Sequence, residues 1–87
     1  MILVVVDTSD LERIAEALRA AVGLGLRGDT VHLALTPDSS HRASSTPDPR
    51  ISRALATLPQ LGQTVSRPDQ QELRTLCHSA DKVEVWT

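Results

Sequence analysis

The residues best suited to nucleophilic chemistry are adjacent in the chain. Cys77 could act as a nucleophile or carry sulfur, and His78 follows it as a neighbouring base. Adjacent residues on a helix point about 100° apart, so these two side chains cannot form a catalytic pair with each other. Both lie near the end of a predicted helix, where the helix dipole disfavours a thiolate. We therefore expect a buried, structural Cys77 and no catalytic residue.

Two further patterns resemble functional motifs but fail on context. Asp38, Ser39 and His41 offer the residue types of a hydrolytic triad, yet the rigid G-x-S-x-G turn that presents such a serine is missing. Residues 23–28 match G-x-G-x-x-G, but they close a predicted helix instead of opening one, so they predict no dinucleotide site. Three scattered histidines and a single cysteine predict no metal site, and we expect no cofactor.

A binding site is more plausible at the carboxyl ends of the predicted strands. In open α/β sheets, ligands bind in the crevice outside these ends. Helix N-termini there present free N–H groups, which favour an anion. The alternative is that Ser9 and Ser66 only cap helices. The candidate ligand-binding residues are Asp7, Thr8, Ser9, Thr36, Ser39, Ser66 and Arg67.

The elements that would position these residues begin with a βαβ unit. The apolar run Ile2–Val6 is typical of a central parallel strand covered on both faces. Ser9 and Glu12 form a capping-box pattern, which predicts a helix that continues to Gly28. A second strand is predicted over residues 30–35.

The second half of the chain is less regular. Residues 36–49 are polar and show no apolar periodicity, which predicts a long, mobile connection. A short helix over 50–58, a weak strand over 62–66 and a helix over 70–79 follow. Alternation over 82–86 predicts an edge strand with one face buried.

Together these elements predict one α/β domain over residues 1–87. The order βαβαβαβ implies a short, mostly parallel four-stranded sheet in a three-layer α/β/α arrangement, as in flavodoxin-like proteins. By analogy with flavodoxin-like sheets we expect the strand order 2-1-3-4.

Composition restricts the function classes. The net charge is −2 and no basic stripe is present, which argues against nucleic-acid binding. The apolar run at the N-terminus is too short to cross a membrane and lacks a basic leader, so we expect a cytoplasmic protein with no membrane association. Trp86 is the only aromatic residue. A core this small favours a homo-oligomer, in which burial between subunits adds stability.

The two ends of the chain resemble the DsrE/DsrF/DsrH-like proteins. The similar segments are residues 2–6, 13–21, 28–33 and 80–85. The resemblance implies a three-layer α/β/α fold and assembly into homo- or hetero-oligomers. Some members relay sulfur on a cysteine in the middle of the chain. Residues 36–61 contain no cysteine here, so no catalytic residue is transferred.

These observations lead to two functional expectations. The first is a non-catalytic, DsrE-like subunit that binds itself or a protein partner, with a small anionic ligand at the carboxyl ends of the strands. The alternative is a sulfur carrier that uses Cys77 as a persulfide.

Overall fold

Strands and helices alternate along the chain in the computed structural model, which describes residues 1–87. The elements are β1 (Ile2–Val6), α1 (Leu11–Leu26), β2 (Val31–Leu35), α2 (Pro37–Ser45), α3 (Pro49–Gln60), β3 (Thr64–Ser66), α4 (Gln70–Ser79) and β4 (Lys82–Trp86). The predicted α/β class is confirmed, with four parallel strands and four helices in three layers.

The strand order is β3-β2-β1-β4, so the predicted order 2-1-3-4 is wrong. The chain moves from β1 outward to β2 and β3, and then returns across the sheet to place β4 on the other side of β1. Right-handed crossovers put helices of the outward path on one face and the helix of the return path on the other. This reversal explains why α4 alone lies opposite the remaining helices.

The helix-rich face of the sheet, covered by α1, α2 and α3, contains most of the core. A cluster of 13 buried residues joins β1 and β2 to α1 and α3. Ile14 and Leu18 of α1 and Ile51 and Leu58 of α3 are its large helical members, and all four are buried. Burying each such side chain contributes about 1.5–3 kcal/mol. This face therefore supplies most of the hydrophobic stabilisation.

The α4 face of the sheet is much thinner. Only Leu3, Val5 and Ala34 form its buried cluster, and α4 covers them with the half-buried Leu73 and Leu76. No residue of α4 is fully buried. A groove therefore remains at the β3 side of α4, and β4 is left partly uncovered on its other side.

Several predicted elements have the expected bounds, and one helix of the structure was not predicted. The ranges predicted for the last helix and last strand, 70–79 and 82–86, are those of α4 and β4. Within 36–49, however, Pro37–Ser45 is helical. Pro37 occupies the first turn of α2, Ser39 is buried, and Ala43 packs on the core. Sequence periodicity does not reveal a helix that has so few apolar contacts.

The other bounds differ by a few residues. The helix predicted over 50–58 is Pro49–Gln60 and extends past Pro59 by one residue. The third strand is only Thr64–Ser66. Gly28, with φ +101°, follows α1 as predicted for a glycine that ends a helix.

Candidate functional site

The carboxyl ends of β1 and β2 are joined by a polar clamp of predicted site residues. The Thr8 N–H donates to Ser39 Oγ at 2.8 Å, and the Ser39 hydroxyl donates back to the Thr8 carbonyl at 2.7 Å. Thr36 Oγ1 donates to the Val6 carbonyl at 3.1 Å. Ser39 is completely buried. The structure thus brings Thr8, Thr36 and Ser39 together, but their polar atoms bond one another or the backbone.

A groove of about 320 Å³ lies beside this clamp, between the N-termini of α2 and α4. Asp7, Asp38 and Asp69 contribute three carboxylates to its lining, and no lysine or arginine lines it. Its charge therefore favours a neutral or cationic ligand over an anion.

Two arginines near this edge of the sheet, Arg42 and the predicted site residue Arg67, make other contacts. Arg42 Nε donates to the Ser9 carbonyl at 3.1 Å. Arg67 Nε donates to Ser40 Oγ at 2.9 Å, so the predicted site residue Arg67 is drawn toward α2. These bonds attach the loop after β1 and the loop after β3 to α2. The predicted anion site consequently has no cationic side chain in its groove.

The helix caps are formed by aspartates, and the predicted serine caps are wrong. Asp10, not Ser9, accepts hydrogen bonds from the N–H groups of Glu12 and Arg13. Asp69, not Ser66, caps α4 in a capping box with Glu72. In both loops the aspartate stands directly before the first helical residue, the position from which a side chain reaches the free N–H groups.

Ser66 instead belongs to a second groove, on the α4 face. Its Oγ lies 2.7 Å from Nε2 of His32. The groove measures about 460 Å³ and is lined mainly by polar side chains of α4. Burial lowers the pKa of His32. The sequence analysis missed this pair. Alternation places each residue on one face of its own strand, but it does not show that β2 and β3 are neighbours in the sheet.

Cys77 is exposed, so the prediction of a buried cysteine is wrong. Leu73, Leu76 and Ala80 turn toward the sheet and pack on its thin cluster. Cys77 directly follows Leu76 and therefore points about 100° away from that contact. Free cysteines are often buried, but α4 contacts the sheet only through the narrow row of Leu73, Leu76 and Ala80. A cysteine outside that row is exposed.

The outer edge of β4 is the third feature. Val83 and Val85 pair with Leu3 and Val5, so they lie on the α4 face. They are 39% and 59% exposed, whereas Trp86 on the other face packs against the large core cluster. The predicted edge position of β4 is confirmed, but its outward-facing side chains are apolar.

Trp86 is held by a cation as well as by the core. The guanidinium carbon of Arg13 lies 5.1 Å from the ring centroid, within the range of a cation–π contact. Arg13 Nε also donates to the Thr87 carbonyl at 3.1 Å. These contacts attach the end of β4 to the first turn of α1.

No family model, curated protein or solved structure matches the chain. The resemblance to the DsrE/DsrF/DsrH-like proteins therefore stays a prediction. None of the helices combines the length and the apolar character that crossing a membrane requires. No group of three or more histidine, cysteine or acidic side chains is arranged to hold a metal ion.

Proposed function

We propose that this protein is an interaction subunit that associates with a second copy of itself through β4. The observation that carries the proposal is the exposure of Val83 and Val85 on an edge strand. Edge strands of native proteins are usually protected, because an unpaired edge can pair with another chain. Here the edge is five residues long and its α4 face is apolar.

The backbone of β4 is oriented for such pairing. The Trp86 carbonyl accepts a hydrogen bond from the Asp7 N–H at 2.8 Å, so this backbone group faces β1. Bonding direction alternates along a strand, so the N–H and C=O groups of Val83 and Val85 point to the free edge. Each copy thus offers four unpaired groups on the residues whose side chains are also exposed.

An antiparallel arrangement satisfies both sets of groups. A two-fold axis at Glu84 places Val83 of each copy opposite Val85 of the other, as a hydrogen-bonded pair. Two copies then form a continuous eight-stranded sheet, with four valines together on the α4 face. The two Glu84 carboxylates meet at the axis, and Lys82, whose Nζ lies 3.5 Å from Glu84 Oε1, offsets only part of their repulsion.

The size of the core supports the need for association. Only 18 of 87 residues are buried, and one face of the sheet has a single covering helix. Burial of β4 would extend the thin cluster of Leu3 and Val5 outward. Because one strand pair is small compared with a standard interface, we expect a dissociation constant of about micromolar order.

The proposal is tested by the molar mass in solution. Light scattering after gel filtration, under reducing conditions, should show a dimer that dissociates on dilution. Val83→Lys or Val85→Lys should weaken it by about tenfold or more, because a charge replaces a buried valine. Leu26→Lys is the matched control, since it adds the same charge at an aliphatic residue that is 70% exposed and belongs to α1 instead of β4. A monomer at about 100 µM would contradict the proposal.

The register makes a second, sharper expectation. Glu84→Gln removes the like charges at the axis and should tighten the dimer several-fold at low salt. An unchanged dimer in this variant, together with loss of the dimer in Val83→Lys, would leave the β4 interface standing but reject the axis at Glu84.

The sulfur-carrier alternative is favoured by one observation, the exposure of Cys77. An accessible thiol can be loaded and unloaded, which a buried thiol cannot. Persulfide loading of the native protein, absent in Cys77→Ser, would support this alternative. Alkylation no faster than that of an unstructured cysteine peptide would count against it.

A further inference from the structure

The groove on the α4 face contains a nucleophile beside a base, and the proposed dimer does not use it. His32 and Ser66 line it from the strands, and Asp69, Glu72 and Thr75 line it from the N-cap and body of α4. At about 460 Å³ the groove has the volume of a small-molecule site. From this geometry we propose that Ser66, activated by His32, accepts an acyl group from a neutral or cationic carboxylic ester.

Both residues are positioned by strands. His32 is paired with Thr64 and Ala34 with Ser66 in the β2–β3 register. His32 and Ser66 therefore share one face as diagonal neighbours, a spacing that long side chains can bridge. The result is the 2.7 Å contact between Ser66 Oγ and His32 Nε2. Sites built on strands hold such geometry better than sites on loops.

The protonation state suits a base. Partial burial lowers the pKa of His32, so the imidazole is neutral near pH 7. A neutral imidazole whose Nε2 accepts from the Ser66 hydroxyl carries its proton on Nδ1. The charged groups that face this region from α4 are the carboxylates of Asp69 and Glu72.

Backbone donors are available at the same end of α4. The N–H groups of Gln70 and Gln71 have no acceptor, while the Glu72 N–H is bonded to the Asp69 side chain. Gln71 itself lines the groove. Free N–H groups at a helix N-terminus are suited to the negative charge that develops on an ester carbonyl oxygen during attack.

The charge of the groove selects the substrate. Asp69 and Glu72 line it, and no lysine or arginine does. The two carboxylates are held in place because each bonds the backbone N–H of the other residue. An ester with its own carboxylate or phosphate would be repelled. A neutral ester or one with a cationic group would be accepted.

The proposed reaction uses only Ser66, His32 and water. Ser66 Oγ forms a bond to the acyl carbon while its proton passes to His32 Nε2. The bond from the acyl carbon to the leaving oxygen breaks, and that oxygen takes the proton from His32. Water then gives a proton to His32 Nε2 and attacks the acyl carbon. The bond from that carbon to Ser66 Oγ breaks, His32 returns the proton to Ser66 Oγ, and the carboxylic acid is released.

The test uses the full chain with p-nitrophenyl acetate and follows both nitrophenolate release and the acetylated residue by peptide mass spectrometry. We expect acetylation of Ser66, its loss in Ser66→Ala, and a rate about 100-fold lower in His32→Gln. Ser79→Ala is the control, because Ser79 bonds only backbone carbonyls of α4. The mono-nitrophenyl ester of succinic acid, which carries a carboxylate, should react more slowly than the acetate.

Two results would overturn the inference. One is the absence of acetylated Ser66 in the native chain at millimolar ester. The other is an unchanged rate in Ser66→Ala, with the acetyl group on a lysine, on the N-terminus or on a different histidine. The test is independent of the proposed dimer, because Val83 does not line the groove. Val83→Lys should therefore retain the acylation of Ser66 even where it abolishes the dimer.

Discussion

On the helix-rich face of the sheet, thirteen buried residues from two strands and two helices form one cluster, whereas the α4 face buries three. The first face has the contacts that specify and stabilise the fold. The second contains the exposed valines of β4, the exposed Cys77 and the groove of His32 and Ser66. The features that can serve binding or chemistry thus lie on the face where the fewest side chains are buried in the core.

The largest expected effect comes from removing side chains on the two faces. Leu18→Ala, on the helix-rich face, should lower the free energy of unfolding by about 2–5 kcal/mol, because Leu18 is fully buried. Leu76→Ala, on the α4 face, should cost about 1 kcal/mol, since Leu76 is only half-buried. Urea denaturation, monitored by circular dichroism, gives both values. Equal losses would show that the two faces contribute alike.

A smaller effect is expected for the polar clamp at the carboxyl ends of the strands. Ser39→Ala leaves the Thr8 N–H and carbonyl without their partner, which should cost about 1–3 kcal/mol. Ser44→Ala, on an exposed position of the same helix, is the control and should change stability by less than about 0.5 kcal/mol. A loss in Ser39→Ala no greater than that of the control would remove the clamp from the account of the fold.

The smallest expected effects are those of pH on the free energy of unfolding. The groups responsible titrate in different pH ranges on the two faces of the sheet. On the helix-rich face, Arg50 donates to Glu12 and Asp48, joining the first turns of α1 and α3. These bonds lower the pKa of both carboxyl groups below their ordinary values of 4.5 and 3.8. Their contribution to stability is therefore complete above those values and is lost as the pH falls through and below them.

Arg50→Gln should flatten the stability curve below pH 4.5, and Arg53→Gln is the matched control because Arg53 forms no ion pair. The N-terminal ammonium group lowers the pKa of Asp81, so Asp81 also makes stability depend on pH in the acid range. Both variants retain this contribution. Unfolding free energies measured from pH 3 to 7 give the comparison. Parallel curves for the native chain and Arg50→Gln would show that the ion pairs are too exposed to stabilise the fold.

On the α4 face, the lowered pKa of His32 acts at higher pH. The unfolded chain binds the proton first on acidification, so stability should fall as the pH drops through His32's ordinary value of 6.5. His32→Gln should remove this step and leave the carboxylate range unchanged. A step near pH 6 that survives in this variant would have to come from another histidine.

Local signals were enough to predict the elements that depend on short-range patterns. The β-branched run of β1, the bounds of α4 and the alternation in β4 follow from propensity and period over a few residues. The capping residues were placed wrongly by one to three positions, because serine and aspartate compete for the same role and only the backbone geometry decides between them. The helix α2 was missed because its packing on the core rests on Ala43 and the buried Ser39.

The spacing of apolar residues along single segments was enough to predict the four strands, three of the four helices, the aliphatic core and the α/β class. The strand order, the exposure of Cys77 and the contact of His32 with Ser66 could be read from the folded structure alone. Those features join segments that are far apart in the chain. The pattern of residues within one strand contains no information about which other strand lies beside it. The same crossover that returned β4 to the side of β1 left its valines exposed and opened the groove beside α4.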